Sequence, residues 1–90
     1  MYRVLVNGRN FRIEVDGVVQ KMGFYATRYV EAENQDEAEM GVISGLKSDQ
    51  GLVSITRNDK SDPPMLFIDE IEAVVGASVA EKPGFSWYTE

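Results

Sequence analysis

Hydrophobic and polar residues alternate over the first fifteen positions of the chain. The apolar positions that share a parity within each run are Tyr2, Val4 and Val6, followed after Asn7-Gly8 by Phe11, Ile13 and Val15. Alternation on both sides of an Asn-Gly pair is typical of a β-hairpin, because both turn residues must tolerate positive φ. The pattern therefore predicts a turn at this pair, with Val4 facing Phe11 and the apolar side chains on one face.

A second turn is predicted at Asp16-Gly17, and a third strand follows it. Aromatic and β-branched residues, which favour strands, dominate this segment. One parity contains Phe24, Ala26 and Val30, and the other contains Tyr25, Thr27 and Tyr29. Gly23, near the start of the strand, indicates a bulge or a bend.

The period changes at Asn34, where a helix is predicted to begin. Asn34 and Glu37 have the spacing of a capping box. An apolar stripe then follows one side of about three helical turns. Gly41 and Gly45 each cost roughly 1 kcal/mol relative to Ala inside a helix. Their presence predicts close approach of the helix backbone to the sheet or to another helix.

The rest of the chain predicts two more strands. Residues 52–57 are predicted to form a short strand, residues 58–64 a polar loop that contains Pro63-Pro64, and residues 65–75 the last strand. The predicted order is β-β-β-α-β-β. We therefore expect an α+β fold with a bent antiparallel sheet of four to five strands and one helix. It would be either a ferredoxin-like layer or a small, partly open Sm-like barrel.

The length of 90 residues leaves room for one domain. We expect residues 1–75 to form this single α+β domain and residues 76–90 to form an aromatic C-terminal tail. Phe85, Trp87 and Tyr88 of the tail carry too much apolar area to remain free in water. The tail is therefore predicted to dock on its own sheet or on a neighbouring subunit.

Composition and charge narrow the classes of function. The chain has no Cys and no His, so it lacks disulfides, thiol nucleophiles, imidazole acid–base groups and ordinary zinc ligands. Carboxylate and lysine chemistry stay open, but no pattern supports them. Fifteen acidic against nine basic residues give a net charge of −6, which disfavours non-specific binding of nucleic acid. We expect no catalytic residues, no metal and no cofactor.

The sequence also bears on location. No apolar run approaches the roughly 18 residues of a membrane-spanning helix. The N-terminal residues lack the basic and then apolar pattern of a signal peptide. We therefore expect a cytoplasmic, bacterial-type protein with no membrane partner.

The predicted hairpin register places Arg3 directly opposite Arg12. Like charges opposed on a sheet are unfavourable unless an acidic group joins them. Glu14 and Glu31 can supply that charge on the same face, and a solvated ladder of exposed ion pairs is the simpler interpretation. The other interpretation is a binding interface.

Tyr25 and Tyr29 can share the face of these two arginines. Tyr and Arg are enriched at binding hot spots, so all four residues are interface candidates. Arg28 has the parity of Phe24, so a regular strand would turn it inward. Either a bulge shifts the register there, or the stem of Arg28 is buried and its head reaches a carboxylate. Both readings outweigh a ligand-binding arginine.

Several segments carry a resemblance to a known group of proteins. The stretch from Gly23 to Glu33, with the helix start that follows it up to Glu39, resembles a small family of uncharacterised bacterial proteins. Asp62-Pro63-Pro64 and the terminal segment Gly84-Phe85-Ser86-Trp87-Tyr88 are similar to the same family. The resemblance covers most of the chain. It implies no established activity, so no site residue follows from it.

Three hypotheses of function remain. The leading one is a non-enzymatic homo-oligomeric interaction module, with a dimer favoured, whose aromatic surface comprises Tyr25, Tyr29, Phe85, Trp87 and Tyr88. The alternative is a small barrel that binds single-stranded nucleic acid such as RNA through Arg3, Arg12, Tyr25 and Tyr29, although the acidic net charge speaks against it. The third is a small-ligand binder or an enzyme with a pocket lined by Arg28 and acidic residues.

Overall fold

The computed structural model describes residues 1–75 and 84–90, so residues 76–83 of the predicted tail lie outside the described residues. The elements in chain order are β1 (Tyr2–Val15), β2 (Val18–Val30), α1 (Gln35–Lys47), α2 (Gln50–Ile55), β3 (Met65–Ala73) and β4 (Ser86–Thr89). The four strands form one antiparallel sheet in the order β3-β1-β2-β4, with β3 and β4 at its edges. The predicted small α+β fold with an antiparallel sheet is confirmed.

The first hairpin differs from the prediction, because its turn is Asp16-Gly17 and not Asn7-Gly8. Asp16 and Gly17 have φ of 51° and 81°, as a two-residue turn of type I′ requires. Asn7-Gly8 lies inside β1, just before a bulge between Gly8 and Phe11 in which Asn10 has φ of 59°. A bulge adds one residue and reverses the alternation. The change of parity that predicts a turn is therefore a bulge in a continuous strand.

The second difference concerns residues 52–57, which are predicted as a strand. Gln50–Ile55 form α2, so the observed order is β-β-α-α-β-β with two helices, in place of β-β-β-α-β-β with one. The side chain of Asp49 caps α2 by accepting a hydrogen bond from the Leu52 N–H at 3.0 Å. Leu52 is buried in the core. The capping hydrogen bond and the burial of Leu52 stabilise a helix here more than the neighbouring β-branched residues favour a strand.

The helix α1 begins where the sequence predicts. Asn34 is its N-cap and accepts a hydrogen bond from the Glu37 N–H at 2.9 Å. Val42 and Leu46 of α1 pack on Val4 and Val6 of the sheet. A second buried cluster, which α2 covers, comprises Phe11, Ile13, Phe24, Ala26 and Leu52. Both helices therefore cover the same face of the sheet. No helix in residues 1–75 and 84–90 is long and apolar enough to cross a membrane.

Candidate functional site

The face of the sheet opposite the helices is uncovered by any other described element. Strand register places on it Arg3, Leu5, Asn7, Arg9 and Arg12 of β1, Lys21, Tyr25, Thr27 and Tyr29 of β2, Met65, Phe67, Glu70 and Glu72 of β3, and Tyr88 of β4. We call this set the open face. It gathers five of the candidate residues of the sequence analysis: Arg3, Arg12, Tyr25 and Tyr29, and Tyr88 from the tail.

A buried asparagine organises the centre of the open face. Asn7 is only 5% exposed, and its amide donates hydrogen bonds to the Phe24 carbonyl at 3.1 Å and to the Tyr88 hydroxyl at 2.8 Å. Its side-chain oxygen accepts from Nε of Arg9 at 2.9 Å, and the Arg9 guanidinium lies 5.8 Å from the centre of the Phe67 ring. The surface groups around Asn7 are therefore held in place before any partner arrives, which lowers the entropic cost of binding.

The ring of Tyr88 lies directly over the backbone of Gly23. A Cβ atom at this position would overlap the ring, so only glycine permits the arrangement. Gly23 lies opposite the bulge of β1, in accord with the bulge or bend that its position predicts. The Tyr25 ring lies 5.6 Å from the Tyr88 ring, centre to centre. The two tyrosines form a continuous aromatic surface across β2 and β4.

Large apolar side chains on the open face are accessible to solvent. Tyr25 is 43% exposed, Phe67 42% and Met65 50%, and Leu5 and Tyr29 are half-buried beside them. Single exposed apolar residues are ordinary on protein surfaces, whereas a contiguous set marks an interaction site. These residues lie in neighbouring positions on one face of the sheet, so they are contiguous.

One end of the open face carries excess negative charge. Arg3 donates from Nε to Glu72 at 2.7 Å and lies 3.5 Å from Glu70. The hydrogen bond to Glu72, more than any other contact, raises the pKa of Arg3 above its ordinary value. One arginine against two glutamates leaves this end negative.

The predicted opposition of Arg3 and Arg12 is wrong, because it depended on a turn at Asn7-Gly8. In the observed register Arg3 faces Tyr29, and Arg12 faces Lys21. The acidic partners of Arg3 belong to β3, whereas the sequence analysis proposed Glu14 and Glu31. Long-range pairing of β1 with β3 supplies these partners, and no local pattern reveals it.

The other end of the open face carries excess positive charge. Arg12 pairs with Asp62 at 3.4 Å, and Lys21 pairs with Glu90 at 3.6 Å. Arg9 stands beside them and shares a shallow depression with these four side chains. Among the side chains that line this depression, three cations against two carboxylates give an excess of positive charge. The two ends are separated by the six residue steps of β1 from Arg3 to Arg9, which is about 20 Å of strand.

The aromatic residues of the predicted tail divide between the two faces. Phe85 and Trp87 lie on the helix side, where their ring centres are 4.9 and 5.1 Å from that of Phe24. Both are partly buried against the core of their own chain. Tyr88 lies on the open face instead. Of the tail residues named as interface candidates, only Tyr88 is therefore available to a partner on that face.

Arg28 lies on the helix side, opposite Val4 in a regular stretch of the ladder. Its guanidinium donates to the carbonyls of Thr27 at 2.9 Å and Gly84 at 3.1 Å, and it lies 5.1 Å from the centre of the Phe85 ring. Burial lowers the pKa of Arg28. Among the described residues no carboxylate forms an ion pair with it. Backbone carbonyls and an aromatic ring take the place of the expected carboxylate.

In the described part of the chain no three acidic side chains gather where a metal ion could be held. No protein-family model, curated protein or solved structure gives a significant match to the chain. Its function therefore has to be inferred from its own residues.

Proposed function

We propose that the protein is a non-enzymatic, homodimeric interaction module whose open face packs against the same face of a second copy. The observation that carries the proposal is the exposed apolar centre of that face, formed by Tyr25, Phe67 and Met65. Tyr and other aromatic residues are enriched at interfaces because they bury a large area at a small entropic cost. In a dimer, the exposed apolar centre of one open face would be buried against that of the other.

Charge supports a second copy as the partner. The Glu70 end of the open face is negative and the Arg9 end is positive. In a dimer each copy uses the same patch, so the patch must be complementary to itself. A two-fold axis that runs across the strands lays the Glu70 end of one copy over the Arg9 end of the other. Opposite charges then meet at both ends, and apolar side chains meet between them.

The nucleic-acid alternative has weaker support. It requires Arg3 and Arg12 to meet phosphate groups, yet each already has a carboxylate within 4 Å. Binding to single strands depends on a positively charged groove as well as on aromatic rings. The chain as a whole carries a charge of −6. Self-association therefore accounts better for the same tyrosines.

The test is the mass of the protein in solution and its response to one substitution. We expect sedimentation velocity of the wild type to give twice the chain mass of 10.1 kDa. Phe67→Glu places a charge in the centre of the interface and should weaken the dimer by at least about thirtyfold, as hot-spot residues do. The matched control is Met40→Glu on α1, where Met40 is 72% exposed on the helix side.

Two outcomes would contradict the proposal. A wild type that sediments as a monomer up to high micromolar concentration excludes a stable dimer. Equal effects of Phe67→Glu and Met40→Glu exclude the open face as its interface. Circular dichroism of both variants confirms that the comparison is made between folded proteins.

A further inference from the structure

A cleft lies on the helix side of the sheet, away from the open face. Its walls are the end of α1, the helix α2 and the loop 58–64, and its floor is the sheet. Its volume is about 610 Å³, which falls in the range of small-molecule sites. The apolar part of its lining comprises Phe11, Ile43, Leu46, Leu52, Val53 and Leu66.

The loop that closes the cleft is fixed by hydrogen bonds. The side chain of Asn58 donates to the carbonyls of Asn10 at 2.7 Å and Asp62 at 2.9 Å, and it accepts from the Arg12 N–H at 2.9 Å. The Asn10 side chain donates to Asp62 at 2.8 Å. The wall is therefore formed in advance, and a ligand need not order it.

Most polar groups of the cleft are already committed to partners within the chain. The Thr56 hydroxyl donates to the Leu52 carbonyl at 2.7 Å. The Asp59 carboxylate accepts from the backbone and the hydroxyl of Ser61 at 3.0 and 3.1 Å. With the Asn58 amide also committed, the Asp59 carboxylate is the one acidic group among the described residues that line the cleft, against two lysines.

Two ammonium groups remain. Lys47 at the end of α1 and Lys60 in the loop both line the cleft. Neither forms an ion pair or a side-chain hydrogen bond with the described residues, whereas Lys21, Arg3 and Arg12 all have carboxylate partners. In an acidic chain, two cations that have no ion-pair partner among the described residues and lie beside an apolar cleft indicate an anionic group on the ligand.

We infer that this cleft binds a small amphipathic anion, with its hydrocarbon or aromatic body against Leu46, Leu52 and Val53 and its anionic group between Lys47 and Lys60. A few placed polar groups on an otherwise apolar lining are typical of ligand sites. The inference does not depend on the proposed dimer, because the cleft and the open face lie on opposite sides of the sheet.

The test uses two fluorescent probes with similar aromatic bodies. One is 1-anilinonaphthalene-8-sulfonate, which is anionic, and the other is N-phenyl-1-naphthylamine, which is neutral. We expect the wild type to bind both. The double variant Lys47→Gln/Lys60→Gln should lose roughly three- to tenfold in affinity for the anionic probe, as two solvent-exposed ion pairs imply. Its affinity for the neutral probe should stay unchanged.

Two controls locate the bound probe. Lys21→Gln removes a cation at the other face and should change neither affinity. Val53→Trp fills the cleft from a position that is 50% exposed and should weaken both probes. Phe67→Glu should leave both unchanged, because it alters only the open face.

Three results would overturn the inference. The first is a folded wild type that binds neither probe. The second is an anionic-probe affinity that does not respond to Lys47→Gln/Lys60→Gln. The third is binding that disappears in Phe67→Glu and persists in Val53→Trp, which would place the probe on the open face. Sedimentation of the same variants reports on the dimer separately, so failure of one proposal is distinguishable from failure of the other.

Discussion

Two glycines of the sheet are covered by aromatic rings on opposite faces. Phe24 lies over Gly8 on the helix side, and Tyr88 lies over Gly23 on the open face. The ring shields backbone that glycine leaves bare, and glycine gives the ring room to lie flat. Gly45 of α1 is different, since a Cβ atom there would meet no described atom within 4 Å. The close approach predicted for the helix is therefore not found at Gly45, and at Gly41 the contact with Val30 is ordinary at 3.7 Å.

Alanine at position 23 and alanine at position 45 should change the free energy of unfolding in opposite directions. Gly23→Ala forces the Tyr88 ring away from the backbone on which it packs. We expect this substitution to lower the free energy of unfolding by about 1–3 kcal/mol, the usual cost of overpacking. Gly45→Ala removes a flexible residue from an exposed helix position and should raise that free energy by about 0.5–1 kcal/mol. Urea unfolding of both variants measures the difference. Destabilisation by Gly45→Ala, or none by Gly23→Ala, would contradict the packing described.

The contribution of Asp59 to the stability of the fold should depend on pH. Hydrogen bonds from Ser61, the backbone N–H first and the hydroxyl second, hold the pKa of the Asp59 carboxyl below its ordinary value. A carboxyl whose pKa is lowered by folding contributes stability above its unfolded pKa and loses it as pH falls through the folded pKa. Ser61→Ala removes one donor and should raise the pKa of Asp59 towards its ordinary value. An NMR titration of the carboxyl carbon measures it, with Ser54→Ala as the control. An unchanged pKa would exclude a role of the hydroxyl.

At the scale of elements, the helix α1 and the strands β2 and β3 follow from local patterns, whereas α2 was predicted as a strand and β4 as part of a docked tail. Asn34 and Glu37 mark the start of α1 because a cap involves only neighbouring residues. The turn at Asp16-Gly17 is also predicted by the sequence. Asn7-Gly8 is the same kind of residue pair and predicts a turn that does not form. What distinguishes the two is the bulge at Asn10, which depends on the pairing of β1 with β2. A sequence pattern alone does not separate a bulge from a turn.

The same limit explains the residues that sequence analysis missed on the open face. In β3 the apolar parity changes between Ile68 and Ile71, where the register with β1 shifts. This irregularity turns Phe67 to the open face and Ile71 to the helix side. A change of parity is therefore the signal that could have found Phe67, once it is recognised as a bulge. The sequence pattern predicts Asn7 as a turn residue, and only tertiary contacts show that it is buried.

At the scale of the whole molecule, the sheet is covered on one side and open on the other. The helices and the half-buried Phe85 and Trp87 cover one face. The open face exposes its aromatic residues and its two charged ends. In our account the second copy supplies the missing layer, and the charges set its direction.

Charge reversal tests this direction. Glu70→Arg makes the negative end positive, and Arg9→Glu makes the positive end negative, so each should weaken the dimer because like charges then meet. The double variant Arg9→Glu/Glu70→Arg restores opposite charges across the interface and should recover much of the lost affinity. Sedimentation equilibrium of the three variants gives their dissociation constants. Additive weakening in the double variant would exclude a two-fold axis across the strands.

The most direct test of the open face as a dimer interface is site-specific cross-linking. The chain contains no cysteine, so one introduced thiol reports on one position. Thr27 lies on the open face, one row of residues from the Asn7–Tyr25 pair at which the proposed axis crosses, and Ser44 lies on the exposed side of α1. A bismaleimide longer than the spacing of packed sheets, about 10 Å, should join two copies of Thr27→Cys and leave Ser44→Cys as single chains. Cross-linked Ser44→Cys with unlinked Thr27→Cys, or no product from either, would contradict the account.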